Sequence, residues 1–174
     1  MSNLENIAKV AYELVRNPAL HDVFQATHPQ VYEDITALIQ SPFYRWQPFG
    51  ERGDPGTAQY SFCRSNAKNK WATAGNRGGK TIAGLMENVA DCLQLDIVTK
   101  QPSTRYSQPP HMWVVSDTEE TLVNIIWRTL VSDVLGTDET GFLWNFVDDS
   151  CAYTEKAGFS DHMVTWTNGS WIQG

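Results

Sequence analysis

The chain is poor in cysteine: Cys63, Cys92 and Cys151 are the three in 174 residues, an odd number set far apart. That usage excludes a disulfide framework and a C-x-x-C metal clip, and it points to a reducing compartment. Histidine is equally sparse. His21, His28, His111 and His162 form no i, i+4 pair and none stands at zinc spacing from a cysteine, so each reads as a structural or solvent-facing ring. Basic residues are outnumbered, 13 Lys and Arg against 20 Asp and Glu, for a formal charge of −7. A domain whose main affinity is for a nucleic-acid backbone carries the opposite sign, so any such contact has to be local. No apolar run reaches membrane-spanning length, and acidic Glu5 stands where a secretory leader would be basic. A soluble, unexported protein is expected. What is plentiful is apolar surface, 41% hydrophobic residues against 19% charged, enough at this length for one packed domain without staples.

Leu4, Ile7, Ala8, Ala11, Tyr12, Leu14 and Val15 recur at helical spacing until Pro18. Val31, Ile35, Leu38 and Ile39 repeat the period between Pro29 and Ser41-Pro42, which predicts two amphipathic helices in a small helical N-terminal region, residues 1–41. Pro42 to Gly56 carries three prolines and three glycines and reads as a loop that packs through Phe43, Tyr44, Trp46 and Phe49. From Gln59 to Lys68 a polar, helix-compatible piece leads to Lys70-Trp71-Ala72-Thr73-Ala74, a short strand candidate, and then to a glycine cluster. Thr81 to Leu95 sets Ile82, Leu85, Met86, Val89, Ala90 and Leu93 on one face, as in a helix that covers a sheet. After an exposed, proline-rich connection over Gln101 to Pro110, Trp113-Val114-Val115 predicts a parallel strand covered on both faces, and Thr121 to Leu135 the helix that follows it. Phe142 to Asp149 is ambiguous. Met163 to Thr167 and Ser170 to Ile172 flank Asn168-Gly169, a strong hairpin signal. Strand, helix, strand, helix is α/β order.

The chemistry is concentrated in Ala74-Gly75-Asn76-Arg77-Gly78-Gly79-Lys80-Thr81, which fits the phosphate loop G-x-x-x-x-G-K-[ST] with alanine at the first glycine. Such a loop has to curl so that successive N–H groups face phosphate oxygens, and Gly75, Gly78 and Gly79 reach the necessary dihedrals without Cβ clashes. Lys80 can extend to the β and γ phosphates, and the Thr81 hydroxyl can ligate Mg²⁺. The helix that begins there turns its positive end to the same point. The bland alternative is a glycine-rich surface turn with Lys80 in solvent.

Gln59-x-x-Phe62, a short polar helix, and Trp71-Ala72-Thr73-Ala74-Gly75-Asn76-Arg77-Gly78-Gly79-Lys80-Thr81 together resemble the ATPase front of the large terminases of tailed phages. The resemblance runs from about Trp46 onward and includes the strand Met112 to Ser116 and the Asn168-Gly169-Ser170-x-Ile172 hairpin; the first forty residues carry no motif of that family. It implies an ASCE-type P-loop NTPase, a mostly parallel sheet with flanking helices over residues 42–174, with ATP and Mg²⁺ as cofactors. It implies that Gln59 contacts adenine with Phe62 packed nearby, that Ala74 to Thr81 hold the phosphates, and that Arg77 neutralises charge developing on the γ phosphate. From the residues alone, Gln59 reads equally as an exposed helix residue and Arg77 as a surface guanidinium. The intact protein of such a family drives double-stranded DNA into a procapsid in the host cytoplasm. It works as a homo-oligomeric ring with portal protein and small terminase subunit, and its nuclease domain cuts the concatemer.

Hydrolysis also needs an acid on a second strand and a glutamate that orients water. The family places both beyond Gly174, so the chain is expected to be an incomplete front part that binds ATP without efficient turnover, and without the nuclease. Leu143 to Asp149 ends in two carboxylates, but Asn145 interrupts its apolar run, so Asp148 and Asp149 read better as a solvated turn. Asp117 reads as the cap of the next helix, with Glu119 and Glu120 in its first turn. Arg64, Lys68 and Lys70 read as solvated edges. Two other readings stay open: another P-loop translocase of the helicase kind, and a short nucleotide-binding interaction protein that hydrolyses nothing.

Overall fold

The computed structural model describes residues 3–48, 58–65, 67, 70, 79–137 and 141–174. Helix α1 (Asn3–Arg16) buries Leu4, Ile7, Ala8, Ala11 and Leu14, the face set by its apolar spacing, while Val15 stays half exposed. A short helix α2 (His21–Thr27), which the sequence reading did not anticipate, buries none of its residues. Helix α3 (Pro29–Gln40) starts on a proline and buries Ile35 and Leu38 against α1. The His21 ring ties the three together, with Nδ1 3.0 Å from the Tyr32 hydroxyl and Nε2 3.2 Å from the Leu14 carbonyl.

Ser41 caps the next turn, α4 (Pro42–Arg45): its hydroxyl donates to the Leu38 carbonyl at 2.7 Å and accepts from the Tyr44 amide. The expected packing of this stretch holds for Phe43, which is fully buried, and for Tyr44 and Trp46, which are partly so; Phe49 lies outside the described residues. Lys100 reaches in from the far side. Its ammonium is 4.7 Å from the Phe43 ring and 5.6 Å from that of Trp46, and it donates to the Ile97 carbonyl. A cation buried to 2% exposure is thus held by two ring faces and a carbonyl. One continuous core joins Leu4 in α1 to Ile172 near the other end of the chain, so the helical front is packed onto the rest.

Helix α5 (Ala58–Arg64) leads toward the glycine-rich stretch, and α6 (Lys80–Cys92) follows it. Strand β1 (His111–Trp113) precedes α7 (Glu119–Thr121), which continues without a break through π-helical turns at Leu122–Trp127 and Leu130–Leu135. Thr118 caps α7 by accepting from the Thr121 amide at 3.1 Å, so the expected role of Asp117 falls to its neighbour. Phe142–Phe146 forms a 3-10 helix, and β2 (Tyr153–Thr154) pairs antiparallel with β3 (Gly158–Phe159).

The Asn168-Gly169 hairpin forms as expected, joining β4 (Met163–Thr165) to β5 (Trp171–Gln173) with Gly169 at φ +87°. Strand β5 pairs parallel with β1, giving the order β1-β5-β4. Among the described residues one strand pair is parallel and two are antiparallel, so the mostly parallel sheet of the sequence reading is not what they form; Trp71 to Ala74 lie outside them. β1 is also not covered on both faces. Trp113 is 65% and Val115 88% exposed, and His111 stacks on Trp171 on the same outward side. The apolar run marked the strand, but it could not tell that Trp113 and Val115 stay exposed.

The hairpin turn reaches back to α6. Asn168 Nδ2 donates to the Cys92 carbonyl at 2.7 Å, and Ser170 Oγ lies 3.0 Å from that carbonyl. Asn168 Oδ1 accepts from the Ser170 amide, so one carboxamide shapes the turn and also satisfies the last turn of the helix.

Replacing Asn168 with Ala is therefore expected to cost about 1–3 kcal/mol in urea denaturation, because the Cys92 carbonyl loses one of its two donors and the Ser170 amide loses its acceptor. Gly169→Ala meets open space and should cost only the left-handed backbone term, about 1–2 kcal/mol. Gly158→Ala should cost more than Gly169→Ala, since its Cβ would stand 2.6 Å from Trp127 Cδ1 at φ +73°.

Candidate nucleotide site

Glycine at position 79 has a local reason. Its backbone is left-handed, φ +68° and ψ +17°, directly before α6, a conformation that costs other residues about 1–2 kcal/mol. As the N-cap it contributes no side-chain acceptor to the first amides of a 13-residue helix. Lys80 and Thr81 occupy that first turn and both are exposed. Behind them the helix is buried, with Ala83, Leu85, Met86, Val89 and Ala90 in the core. The pattern Ile82, Leu85, Met86, Val89, Ala90, Leu93 thus anchors α6 so that its N-terminal end faces outward.

The Gly79 carbonyl accepts the first helical bond, from the Ala83 amide at 3.0 Å, and a second from Gln59 Nε2 at 3.4 Å. Gln59 sits on α5 and is half-buried. The structure therefore brings together Gln59, Gly79, Lys80 and Thr81 from two segments twenty residues apart. Phe62, one turn further along α5, is turned to Lys70, whose ammonium lies 5.2 Å from its ring. Ala74, Gly75, Asn76, Arg77 and Gly78 lie outside the described residues.

Beneath this turn is a charged cluster that sequence reasoning missed. Glu87 and Asp91, one helical turn apart on α6, are buried to 6% and 8% exposure. Lys70 and Arg105 converge on Glu87 Oε1, Arg105 at 3.1 Å, and Arg105 also holds Asp91 at 3.2 Å. The Tyr106 hydroxyl donates to Asp91 Oδ2. Burial raises the Asp91 pKa, against the opposing pull of Arg105 and the Tyr106 hydrogen bond. The reading of Lys70 as a solvated edge is thereby corrected: its side chain is 9% exposed and ion-paired. The Gln101 to Pro110 connection is likewise more than an exposed tether, because it delivers Arg105 and Tyr106 to α6. The one signal in the sequence was a pair of carboxylates four apart beside an apolar helix face.

Of the acids considered for hydrolysis, Asp148 is held by its own turn. Asp148 accepts from the Ser150 amide at 2.9 Å and from its hydroxyl, contacts that hold its carboxyl below the usual range. It follows a 3-10 helix, in keeping with a turn, and Asp149 is exposed. Among the described residues no group of three or more His, Cys, Asp or Glu is placed to hold a metal ion, and no helix is long and apolar enough to cross a membrane. Cys63, Cys92 and Cys151 are free. No family model, curated protein or solved structure matches the chain.

Two buried thiols, one on α5 and one at the far end of α6, report on the packing of these helices. Burial pushes Cys63 on α5 up to about 11 and Cys92 at the end of α6 up to about 12. Because the thiolate is the nucleophile, both should resist iodoacetamide at pH 8 in the native protein and react once it is unfolded. Mass spectrometry that finds either one alkylated natively would show that α5 or the end of α6 is not packed as described.

Proposed function

We propose that this chain is the ATP-binding part of a DNA-packaging motor of the large-terminase kind. The observation that supports the reading best is the left-handed Gly79 at the head of α6, with Lys80 and Thr81 in its exposed first turn and Gln59 bonded to its carbonyl. These residues suit a Mg²⁺-nucleotide. The turn has no Cβ at its N-cap, a cation and a hydroxyl stand side by side, and the helix directs its positive end outward.

In this reading Lys80 neutralises the β and γ phosphates, and Thr81 offers its hydroxyl to the phosphate-bound Mg²⁺. Arg77 counters charge on the γ phosphate, and the amides of Ala74 to Gly79 supply the cradle. Gln59, bonded to the loop's last glycine, would also contact adenine, with Phe62 packed nearby. Hydrolysis would call for an acid that Asp117 and Asp148 do not supply, so the chain by itself is expected to bind ATP without turning it over. In the whole motor, ATP hydrolysis would draw double-stranded DNA into a procapsid. A ring of subunits would act with portal protein and small terminase subunit in the host cytoplasm, beside a nuclease domain.

Calorimetry with ATP and Mg²⁺ tests the proposal. Binding should be measurable and weakened at least about tenfold by Lys80→Ala, the loss expected when charge-assisted hydrogen bonds are removed. Equal binding by the two proteins, or none by the unaltered chain, would overturn it.

A further inference from the structure

We propose that Glu87 is a positioning residue for the phosphate-binding turn and acts through Lys70, an inference that rests on the nucleotide-binding reading above. Lys70 and Gly79 are the described residues on either side of the stretch 71–78, and both are held by the same two helices. At Gly79, α6 begins and Gln59 of α5 donates to the carbonyl. At Lys70, Glu87 of α6 takes the ammonium, and the Phe62 ring of α5 lies 5.2 Å from it. The two α5 residues are three apart, one turn on one helix face. Glu87 and Lys70 are nearly buried, at 8% and 9% side-chain exposure, so the pair is shielded from solvent and has little freedom to wander.

A buried ion pair is a poor source of stability, since the cost of desolvating two charges offsets most of their attraction. What such a pair does supply is direction and distance. Here it fixes where the chain stands before the phosphate-binding residues relative to the helix that carries Lys80 and Thr81. A supporting shell that holds binding groups to within a fraction of an ångström is what distinguishes a working site from a loose one.

The sign of one substitution separates positioning from charge. Glu87 lies seven residues from Lys80, about 10 Å along the helix axis. Removing a negative charge at that distance would, through space, slightly tighten the binding of a triphosphate. Loss of positioning would weaken it. Glu87→Gln, close to isosteric, is expected to weaken ATP binding by about tenfold, as is Lys70→Met, while Lys70→Arg, which keeps the pair, stays within about threefold. Arg105→Met, which removes a charge from the same cluster without releasing Lys70, should lower the melting temperature and leave ATP affinity within about twofold. The measurement is calorimetry with Mg²⁺ and ATP on the full chain, with thermal denaturation of each variant.

ATP bound by Glu87→Gln as tightly as by the unaltered protein, or more tightly, would overturn the proposal. Equal weakening by Arg105→Met would do the same, because it would reduce the cluster to a stability element. Should Glu87→Gln fail to fold, Lys70→Met against Arg105→Met carries the distinction, because each removes one positive charge from the cluster and only the first releases the chain at residue 70. Failure of the unaltered chain to bind ATP is a separate result that removes the nucleotide reading itself.

Discussion

Two carboxylates buried on one helix cannot stand alone. Glu87 and Asp91 lie on the covered side of α6, where an unpaired charge would cost several kcal/mol, so cations have to be brought to them. Neither comes from α6. Lys70 arrives from the segment before the glycine-rich stretch, and Arg105 from the connection after the helix. The need to compensate these acids therefore draws both flanking segments onto α6. It turns a helix that could merely have packed by its apolar stripe into the point where three parts of the chain meet.

The two ends of α6 are finished by different means. At its start stands a left-handed glycine that gives no side-chain cap, followed by an exposed lysine and threonine. At its end the Cys92 carbonyl is closed off by Asn168 and Ser170 from a hairpin more than seventy residues away. The helix is thus tied to the hairpin at its end and gripped by ion pairs in its middle, and under the proposed reading its first turn is the part that meets an anion. The hairpin glycine and asparagine thus serve the turn they sit in and the helix they reach.

Periodicity made α1, α3, α6 and the helix after β1 legible, because each carries apolar residues on one face and a clear stop. The hairpin was legible because Asn-Gly suits the backbone twist between two strands. The two-sided burial expected of Trp113-Val114-Val115 did not hold, since an apolar run reports apolar residues and not what covers them. Thr118 in place of Asp117 as the helix cap reflects two adjacent residues with equal capping chemistry, between which the sequence alone does not choose. The ionic cluster was hidden for a different reason: Lys70 and Arg105 meet Glu87 across 17 and 18 residues, and no local pattern reports such a pairing. Of the proposed nucleotide site, Gly79, Lys80 and Thr81 were legible as a motif, while the bond from Gln59 to Gly79 required the fold.

The central claim is that the first turn of α6 is an anion site for a nucleotide. Titration of ¹⁵N-labelled protein with Mg²⁺ and ADP, followed by backbone amide shifts, tests it most directly. The expected result is that the largest changes fall on the amides of Gly79, Lys80 and Thr81, with a smaller one on the Gln59 side chain. Shifts confined to the exposed Trp113 and Trp171 face, or scattered without saturation, would contradict it.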